Sequence, residues 1–211
     1  MSPVQFFLRH DREILQATLE HIWLVGLTMI FAIAIGVPLG ILVTRKPWLS
    51  KPILGGANIA ETIPSLALFG FLLPVPWLGG RADRLAIAAL TLYALLPIIR
   101  NTSAGITGVD RAVREAARGM GMTDRQILFQ VELPLSFSTM LAGIRIATVL
   151  TIGIATIAAA VGAGGLGEFI FRGLAMVNDQ LILAGAIPAA MLALAADFVL
   201  GVLERRLRPV R

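Results

Sequence analysis

The sequence predicts an all-α protein, a polytopic membrane helical bundle of about five transmembrane helices. The 211 residues are 57% hydrophobic and 15% charged, with a mean hydropathy of +0.83, whereas soluble domains average about 45–50% apolar and about 25% charged residues. Several apolar runs approach or exceed the roughly 20 residues that a helix needs to cross a bilayer core about 30 Å thick. Prolines and glycines interrupt these runs, which membrane helices tolerate because neighbouring helices satisfy the freed backbone groups.

Five apolar runs are the predicted spans. In chain order they are Ile22–Val43, Ile53–Leu78, Leu85–Ile99, Leu135–Val161 and Leu181–Leu203. The second contains Pro64, Pro74 and Pro76 and is expected to be kinked or broken, and the third could extend through Asn101–Ser103. Before the first span, Gln5–His21 predicts a short amphipathic helix on the outer interface. The chain is therefore one transmembrane domain, residues 1–211, with an outer segment at 1–21 and one long polar interval at 101–134.

Basic residues are distributed unevenly around these spans, which predicts the orientation of the chain. One side collects Arg45, Lys46, Lys51, Arg100, Arg111, Arg114, Arg118, Arg125, Arg205, Arg206, Arg208 and Arg211, whereas the other has only Arg9, Arg12, Arg81, Arg84 and Arg172. We therefore expect a multi-pass inner-membrane protein with its N-terminus outside and its C-terminus in the cytoplasm. The net charge of +5 is then explained by anionic membrane lipid rather than by nucleic acid.

Residues that would carry covalent chemistry do not form any usual arrangement. The chain has no cysteine, so disulfides and thiol nucleophiles are excluded. Neither a Ser-His-Asp set nor a phosphate-binding loop is present, so we expect no enzymatic activity, metal or cofactor. His10 and His21 are expected at the surface or the membrane interface.

The cytoplasmic interval 101–134 contains a patterned segment. Asp110 is placed to cap a helix with one polar stripe, formed by Arg111, Arg114, Glu115 and Arg118, and one small apolar face, formed by Ala112, Val113, Ala116 and Ala117. Gly119 and Gly121 permit a sharp turn, and Thr123 or Asp124 would start a second helix, Arg125–Glu132, that ends before Pro134. This pattern suits docking into a groove of a partner, although it is also compatible with a loop that packs on the membrane.

The spacing of this segment resembles the coupling-loop signature of permease subunits of ATP-binding cassette (ABC) importers. The signature residues are Glu115-Ala116-Ala117, then Gly121, then Val131, Leu133 and Pro134, with Val131 standing where the family usually has Ile. The resemblance implies a coupling helix that docks on a separate ABC ATPase subunit. It also implies that Glu115 and Gly121 are the principal coupling residues.

Three further segments look closest to permeases for osmoprotectants such as glycine betaine, carnitine and choline. They are Glu61–Leu68, Leu95–Thr102 and Val161–Gly167. The resemblance implies a second permease chain, identical or paralogous, and an extracytoplasmic substrate-binding protein. Related amino-acid permeases use similar small-residue runs and remain an alternative, as do an ATP-independent secondary transporter and a non-transporting scaffold.

Two segments are candidates for the translocation path and its gate. Around Glu61, the residues Thr62, Pro64 and Ser65 interrupt a helix, so that they either line a passage together with Tyr93 or form a packing kink. The run Gly162, Gly164, Gly165 and Gly167 is too permissive for a spanning helix. We expect it to form an outer loop or re-entrant turn next to the gate or the binding protein.

Three ionisable residues fall inside predicted spans, where charge is costly unless it is paired. They are Glu61, Arg145 and Asp197. At a rise of about 1.5 Å per residue, Arg145 lies about 15 Å and Asp197 about 10 Å from the cytoplasmic ends of their spans. We therefore predict a structural ion pair between the fourth and fifth spans, with a proton relay as the alternative.

Overall fold

The computed structural model describes residues 3–207, and every regular element within that range is helical. The ten α-helices are α1 Pro3–Arg9, α2 Asp11–Arg45, α3 Pro47–Thr62, α4 Ser65–Leu72, α5 Ala82–Thr107, α6 Arg111–Gly119, α7 Asp124–Ile127, α8 Leu133–Ala158, α9 Gly167–Met176 and α10 Asp179–Arg206. A π-helix, Leu128–Glu132, joins α7 to α8, and a 3-10 turn, Ala159–Val161, ends α8.

Among the residues that the structure describes, four helices are long and apolar enough to cross a membrane. They are α2, α5, the continuous run Asp124–Val161 that contains α8, and α10. The helices α3 and α4 form a fifth span only if they are counted as one unit, because they meet at an angle of 105° after a short break. The predicted helical bundle is therefore confirmed, and the expected interruption of the second span is a sharp bend.

Helix α5 is the centre of the bundle and packs between α2 and α8. The largest core cluster contains Leu24 of α2, Leu90 and Ile98 of α5, and Ala155 of α8, with Phe69 of α4 completely buried against them. On α2, Gly36 and Gly40 lie on one face and allow very close approach to α5. Small residues four positions apart are a common means of bringing membrane helices together, because dispersion contacts rather than water drive their association.

The outer surface of α10 is strongly apolar. Met191, Leu194 and Phe198 are each more than 60% exposed, and few residues of this helix are buried inside the chain. Exposed side chains of this size are expected where a helix faces lipid, because hydrocarbon rather than water surrounds them.

The predicted outer helix has the wrong bounds. Residues 5–21 do not form a separate helix, because α1 ends at Arg9 and α2 continues from Asp11 through the first span. Within the polar interval 101–134, α5 continues to Thr107. Thr102 and Ile106 are buried there, and the Asn101 amide donates to the Pro97 carbonyl at 2.8 Å, so Asn101 is satisfied within the helix.

Candidate functional site

The segment between α5 and α7 forms a capped helix followed by a tight turn. The Asp110 carboxylate accepts a hydrogen bond from the Ala112 backbone N–H at 2.8 Å, which caps α6 as predicted. After α6, Gly121 has a φ of +80°. The Met122 N–H donates to the Ala117 carbonyl at 3.2 Å, and the Gly121 N–H donates to the Arg118 carbonyl at 2.9 Å. These two bonds form a Schellman motif, which requires a left-handed residue such as glycine at this position.

The next helix begins with a capping box. The Thr123 hydroxyl accepts from the Gln126 N–H, and the Gln126 side chain accepts from the Thr123 N–H. Gly119, in contrast, is the last residue of α6 and has no positive φ, so only Gly121 performs the turning role that was predicted for both. Local hydrogen bonds thus specify the whole segment Asp110–Gln126.

One side of α6 is exposed and made of small or flexible residues. Ala112, Val113 and Ala116 face outward, and Met120 at the end of the helix is 75% exposed. Glu115 is also exposed and accepts a hydrogen bond from the Arg111 Nε at 2.7 Å. Ala117 does not belong to this face, contrary to prediction, because it is 2% exposed and packs inward.

The chain enters α8 without a break, although Leu133 and Pro134 were predicted to follow the end of a helix. Pro134 has no N–H to donate and its ring would crowd the preceding turn of an α-helix. The π-helix Leu128–Glu132 widens that turn, and the Leu133 N–H donates to the Leu128 carbonyl five residues earlier. The wider turn explains why Pro134 lies in the first turn of α8 without ending the helix.

Glu132 and Arg45 were not singled out from the sequence, but the structure pairs them. Glu132 is buried at the end of the π-helix and forms an ion pair with Arg45 at the end of α2. The signal available in the sequence was a lone carboxylate between Val131 and Leu133, at the entrance to an apolar run. The partner of this carboxylate depends on which helices meet, which the sequence pattern does not reveal.

The break between α3 and α4 exposes polar groups of the predicted path. Ile63 and Pro64 have extended backbones there, Glu61, Thr62 and Pro64 are exposed, and Ser65 is half-buried. Tyr93 is not beside them on the surface. Its ring is 6% exposed, and its hydroxyl donates to the Ile63 carbonyl, which the break leaves without a helical partner. Tyr93 therefore supports the break.

The glycine run forms a tight loop between α8 and α9. Gly162, Gly164 and Gly165 have φ angles near +80°, and Gly167 begins α9 so close to α8 that an added Cβ would lie 1.9 Å from the Thr156 carbonyl oxygen. The loop packs against the beginning of α2, where the Glu20 carboxylate accepts from the Gly165 N–H at 3.3 Å.

His21 lies beneath the same loop, and its predicted place at the surface is wrong. The side chain is completely buried, and its Nε2 is 3.1 Å from the Ile152 carbonyl oxygen. An added Cβ on Gly165 would be 3.1 Å from the His21 Nδ1, so the two residues are in close contact. A loop without a side chain at position 165 is what allows the imidazole to fit.

The charges inside the spans also meet. Arg145 of α8 and Asp197 of α10 form two hydrogen bonds of 2.7 Å, and the Arg145 Nη1 lies 3.4 Å from the Glu204 carboxylate. The predicted proximity of Arg145 and Asp197 is therefore present, whereas the contribution of Glu204 was missed. Gly201 makes room for the guanidinium, since an added Cβ there would lie 2.8 Å from Nη1. Glu61 remains exposed on α3.

Comparison with known proteins places these elements in a transport family. Residues 36–209 match the family described as binding-protein-dependent transport system inner membrane component. The carnitine transport permease protein OpuCB of Listeria monocytogenes is 46% identical over 98% of this chain and 93% of its own length. The glycine betaine/carnitine/choline transport system permease protein OpuCD of Bacillus subtilis is 44% identical over 98% and 89%.

Among solved structures, a chain of the MetNI methionine ABC transporter in inward-facing conformations has the same fold. It superposes with a TM-score of 0.85 at 24% sequence identity, and the superposition covers 100% of each chain. The family match covers the bent pair, the capped α6 segment and the glycine loop. The chain belongs to the family of binding-protein-dependent transport system inner membrane components.

Proposed function

We propose that this chain is the permease subunit of an ABC importer for a quaternary-amine osmoprotectant such as glycine betaine, choline or carnitine. In this proposal two permease chains, identical or paralogous, form the path, and ATP is hydrolysed on separate ABC ATPase subunits. The observation that carries the proposal is the exposed, locally capped α6 with its Gly121 turn. A rigid helix with a small-residue face is suited to insertion into a groove of a partner.

The ATPase contact is proposed for Glu115, Ala116 and Gly121, with Ala117, Gly119, Leu133 and Pro134 shaping the segment. Glu115 and Ala116 are on the exposed side of α6, and the exposed Gly121 ends it. Ala117 anchors the opposite side in the protein. A change of shape in the bound ATPase would then be transmitted through α6 to the spans.

The proposed orientation has the N-terminus outside and the C-terminus in the cytoplasm. Glu132 brings the end of α2 next to α6, and the basic residues Arg45, Arg111 and Arg118 lie in that region. The glycine loop contacts Glu20 near the beginning of α2, at the opposite end of the first span. Because basic residues favour the cytoplasmic side, α6 is assigned to the cytoplasm and the glycine loop to the exterior, where a substrate-binding protein would dock.

Substrate selection is assigned mainly to that binding protein. The relatives named above transport carnitine, glycine betaine or choline by their printed names, and recognition of a quaternary ammonium usually needs several aromatic rings around the cation. Within residues 3–207, Trp23, Trp48 and Trp77 are all more than half exposed on the outside of the chain, and Tyr93 is buried. The broken segment around Glu61, Thr62, Pro64 and Ser65 would provide a weakly binding path.

Copurification tests the docking proposal. A tagged permease should retain its ATPase subunit, and Gly121→Leu should abolish this, because a branched side chain at a φ of +80° destroys the turn. Gly26→Leu is the matched control, since position 26 lies on α2 outside the proposed contact, is helical, and a Cβ there meets nothing within 4 Å. Retention of the ATPase by the Gly121→Leu variant would contradict the assigned contact.

Uptake by reconstituted vesicles tests transport and substrate. Vesicles that contain the permease, its ATPase and its binding protein should accumulate labelled glycine betaine, choline or carnitine only when ATP is inside. Uptake without ATP would indicate a secondary transporter, and ATPase binding without any uptake would indicate a scaffold. Preferential accumulation of an amino acid would support the alternative substrate class.

A further inference from the structure

Glu132 joins the coupling region to the membrane spans. Its side chain is 2% exposed, although it lies at the polar end of the bundle. One carboxylate oxygen pairs with the Arg45 Nη2 at the end of α2, and the other lies 4.0 Å from the Arg114 Nη1 on α6. A buried carboxylate therefore has two arginines around it, from two different helices.

Arg114 extends this connection to a third helix. Its Nη2 donates to the Val109 carbonyl at 2.8 Å and to the Thr107 carbonyl at 3.2 Å, at the end of α5. A cation near the C-terminal carbonyls of a helix also favours the helix dipole. Arg114 thus points into the protein, although the sequence pattern assigned it to the same polar stripe as the exposed Arg111 and Arg118.

The π-helix determines that Glu132 faces inward. A π-turn holds one more residue than an α-turn, so the side chains that follow it are rotated by about 100° relative to a regular helix. Glu132 is the last residue of this π-helix and is buried, whereas Val131 beside it is only partly buried. Local widening of the turn, which also accommodates Pro134, places the carboxylate between Arg45 and Arg114.

Other ion pairs on the segment cannot replace this connection. Arg111–Glu115 and Arg118–Asp124 are exposed pairs within α6 or between α6 and α7, and exposed pairs contribute little because water and salt screen them. A buried carboxylate that loses one of its partners, in contrast, is left as an uncompensated charge. Glu132, Arg45 and Arg114 are therefore the charged contact that resists separation of α6 from the spans.

We propose that Glu132 is a positioning residue that makes α6 and the ends of α2, α5 and α8 move as one body when the ATPase changes shape. The inference rests on the proposed docking of α6 but concerns a later step. Binding of the ATPase would depend on Gly121 and the exposed face of α6. Conversion of that binding into movement of the spans would depend on Glu132 with Arg45 and Arg114.

The test replaces Glu132 by glutamine in the assembled transporter, reconstituted with its ATPase and binding protein in vesicles. Glutamine has the same shape but cannot form the ion pairs. The ATPase should still copurify with the Glu132→Gln variant, and ATP hydrolysis should continue. The number of substrate molecules taken up per ATP hydrolysed should fall at least tenfold, and the binding protein should no longer stimulate hydrolysis.

Asp83→Asn is the matched control. Asp83 is also a carboxylate paired with an arginine, Arg81, at 2.8 Å, but it lies in the first turn of α5 at the end of the helix opposite Thr107. Its loss should leave uptake per ATP unchanged. A Glu132→Gln variant with the same uptake per ATP as the wild type would overturn the proposed role of Glu132. The docking of α6 would still be supported in that case if ATPase binding were lost only in Gly121→Leu.

Arg45→Gln provides a second variant in case Glu132→Gln does not assemble. The Arg45 side chain is about one-third exposed, so its replacement should destabilise the fold less than replacement of the buried Glu132. The proposal expects a fall in uptake per ATP with unchanged ATPase binding. When Glu132→Gln is added, the combined fall should be smaller than the product of the two separate effects, because the Arg45–Glu132 contact is lost in both single variants. Normal uptake per ATP in Arg45→Gln, or independent effects in the double variant, would refute it.

Discussion

Replacing Gly40 by alanine tests how closely α2 packs against α5. A Cβ at position 40 would lie 2.5 Å from the Thr102 Cβ and 3.1 Å from the Ile99 carbonyl oxygen. Carbon atoms attract each other best at about 3.5–4.0 Å, so α2 has to move outward by about 1 Å. Overpacking of this kind costs about 1–3 kcal/mol. We expect the free energy of unfolding of Gly40→Ala to fall by that amount relative to a glycine replacement that meets no neighbour.

Gly26→Ala is that reference, because position 26 is on the same helix and a Cβ there has nothing within 4 Å. Both variants gain the helix preference of alanine over glycine, about 1 kcal/mol, so the difference between them isolates the contact with Thr102. A difference of about 2 kcal/mol corresponds to about 4–8 °C in Tm for a domain of this size. Thermal unfolding of the purified proteins in detergent, followed by circular dichroism, measures it, and equal Tm values would refute the close α2–α5 contact.

Three further predictions concern the remaining sites. Gly121→Ala should weaken ATPase binding about 5- to 30-fold relative to Gly26→Ala, because a left-handed backbone costs about 1–2 kcal/mol for alanine. Equal affinities in a titration would contradict this. Gly167→Ala should abolish uptake or assembly, because the added Cβ would lie 1.9 Å from the Thr156 carbonyl oxygen. Gly153→Ala should not, because a Cβ there has nothing within 4 Å, and normal uptake by Gly167→Ala would exclude the close packing of α9 on α8. Asp197→Asn should lower the Tm more than Asp179→Asn, because the neutral amide keeps only one of the two oxygens that accept the 2.7 Å bonds from Arg145. Equal Tm values would show that the pair is not stabilising.

Local features of the site could be predicted because their partners are close in the sequence. Asp110 caps the helix that starts next to it, Thr123 starts the next short helix, and Gly121 turns the chain. Each contact spans only a few residues, so residue type and spacing are sufficient evidence. Arg145 and Asp197 were paired by a different argument, since a charge in hydrocarbon requires a partner and few candidates lay at a similar depth.

Contacts between distant helices could not be predicted in the same way. Tyr93 was grouped with the broken segment of the proposed path, but the inward packing of its ring and its bond to the Ile63 carbonyl were not foreseen. His21 was expected near the surface, but the glycine loop covers it. In both cases the environment is made by a helix or loop far along the chain, and a hydropathy pattern does not say which face of one helix meets which face of another.

The sequence by itself determined that this is a helical membrane protein with a capped helix and a glycine turn between its third and fourth predicted spans. It did so because the length of an apolar run, the position of basic residues and the chemistry of a turn are local properties. Only the tertiary structure decided that Glu132 is buried between Arg45 and Arg114 and that the second span bends by 105°. Those features depend on how separate helices pack, because the free energy of a buried charge or a broken helix is set by neighbours that the chain brings together only when it folds.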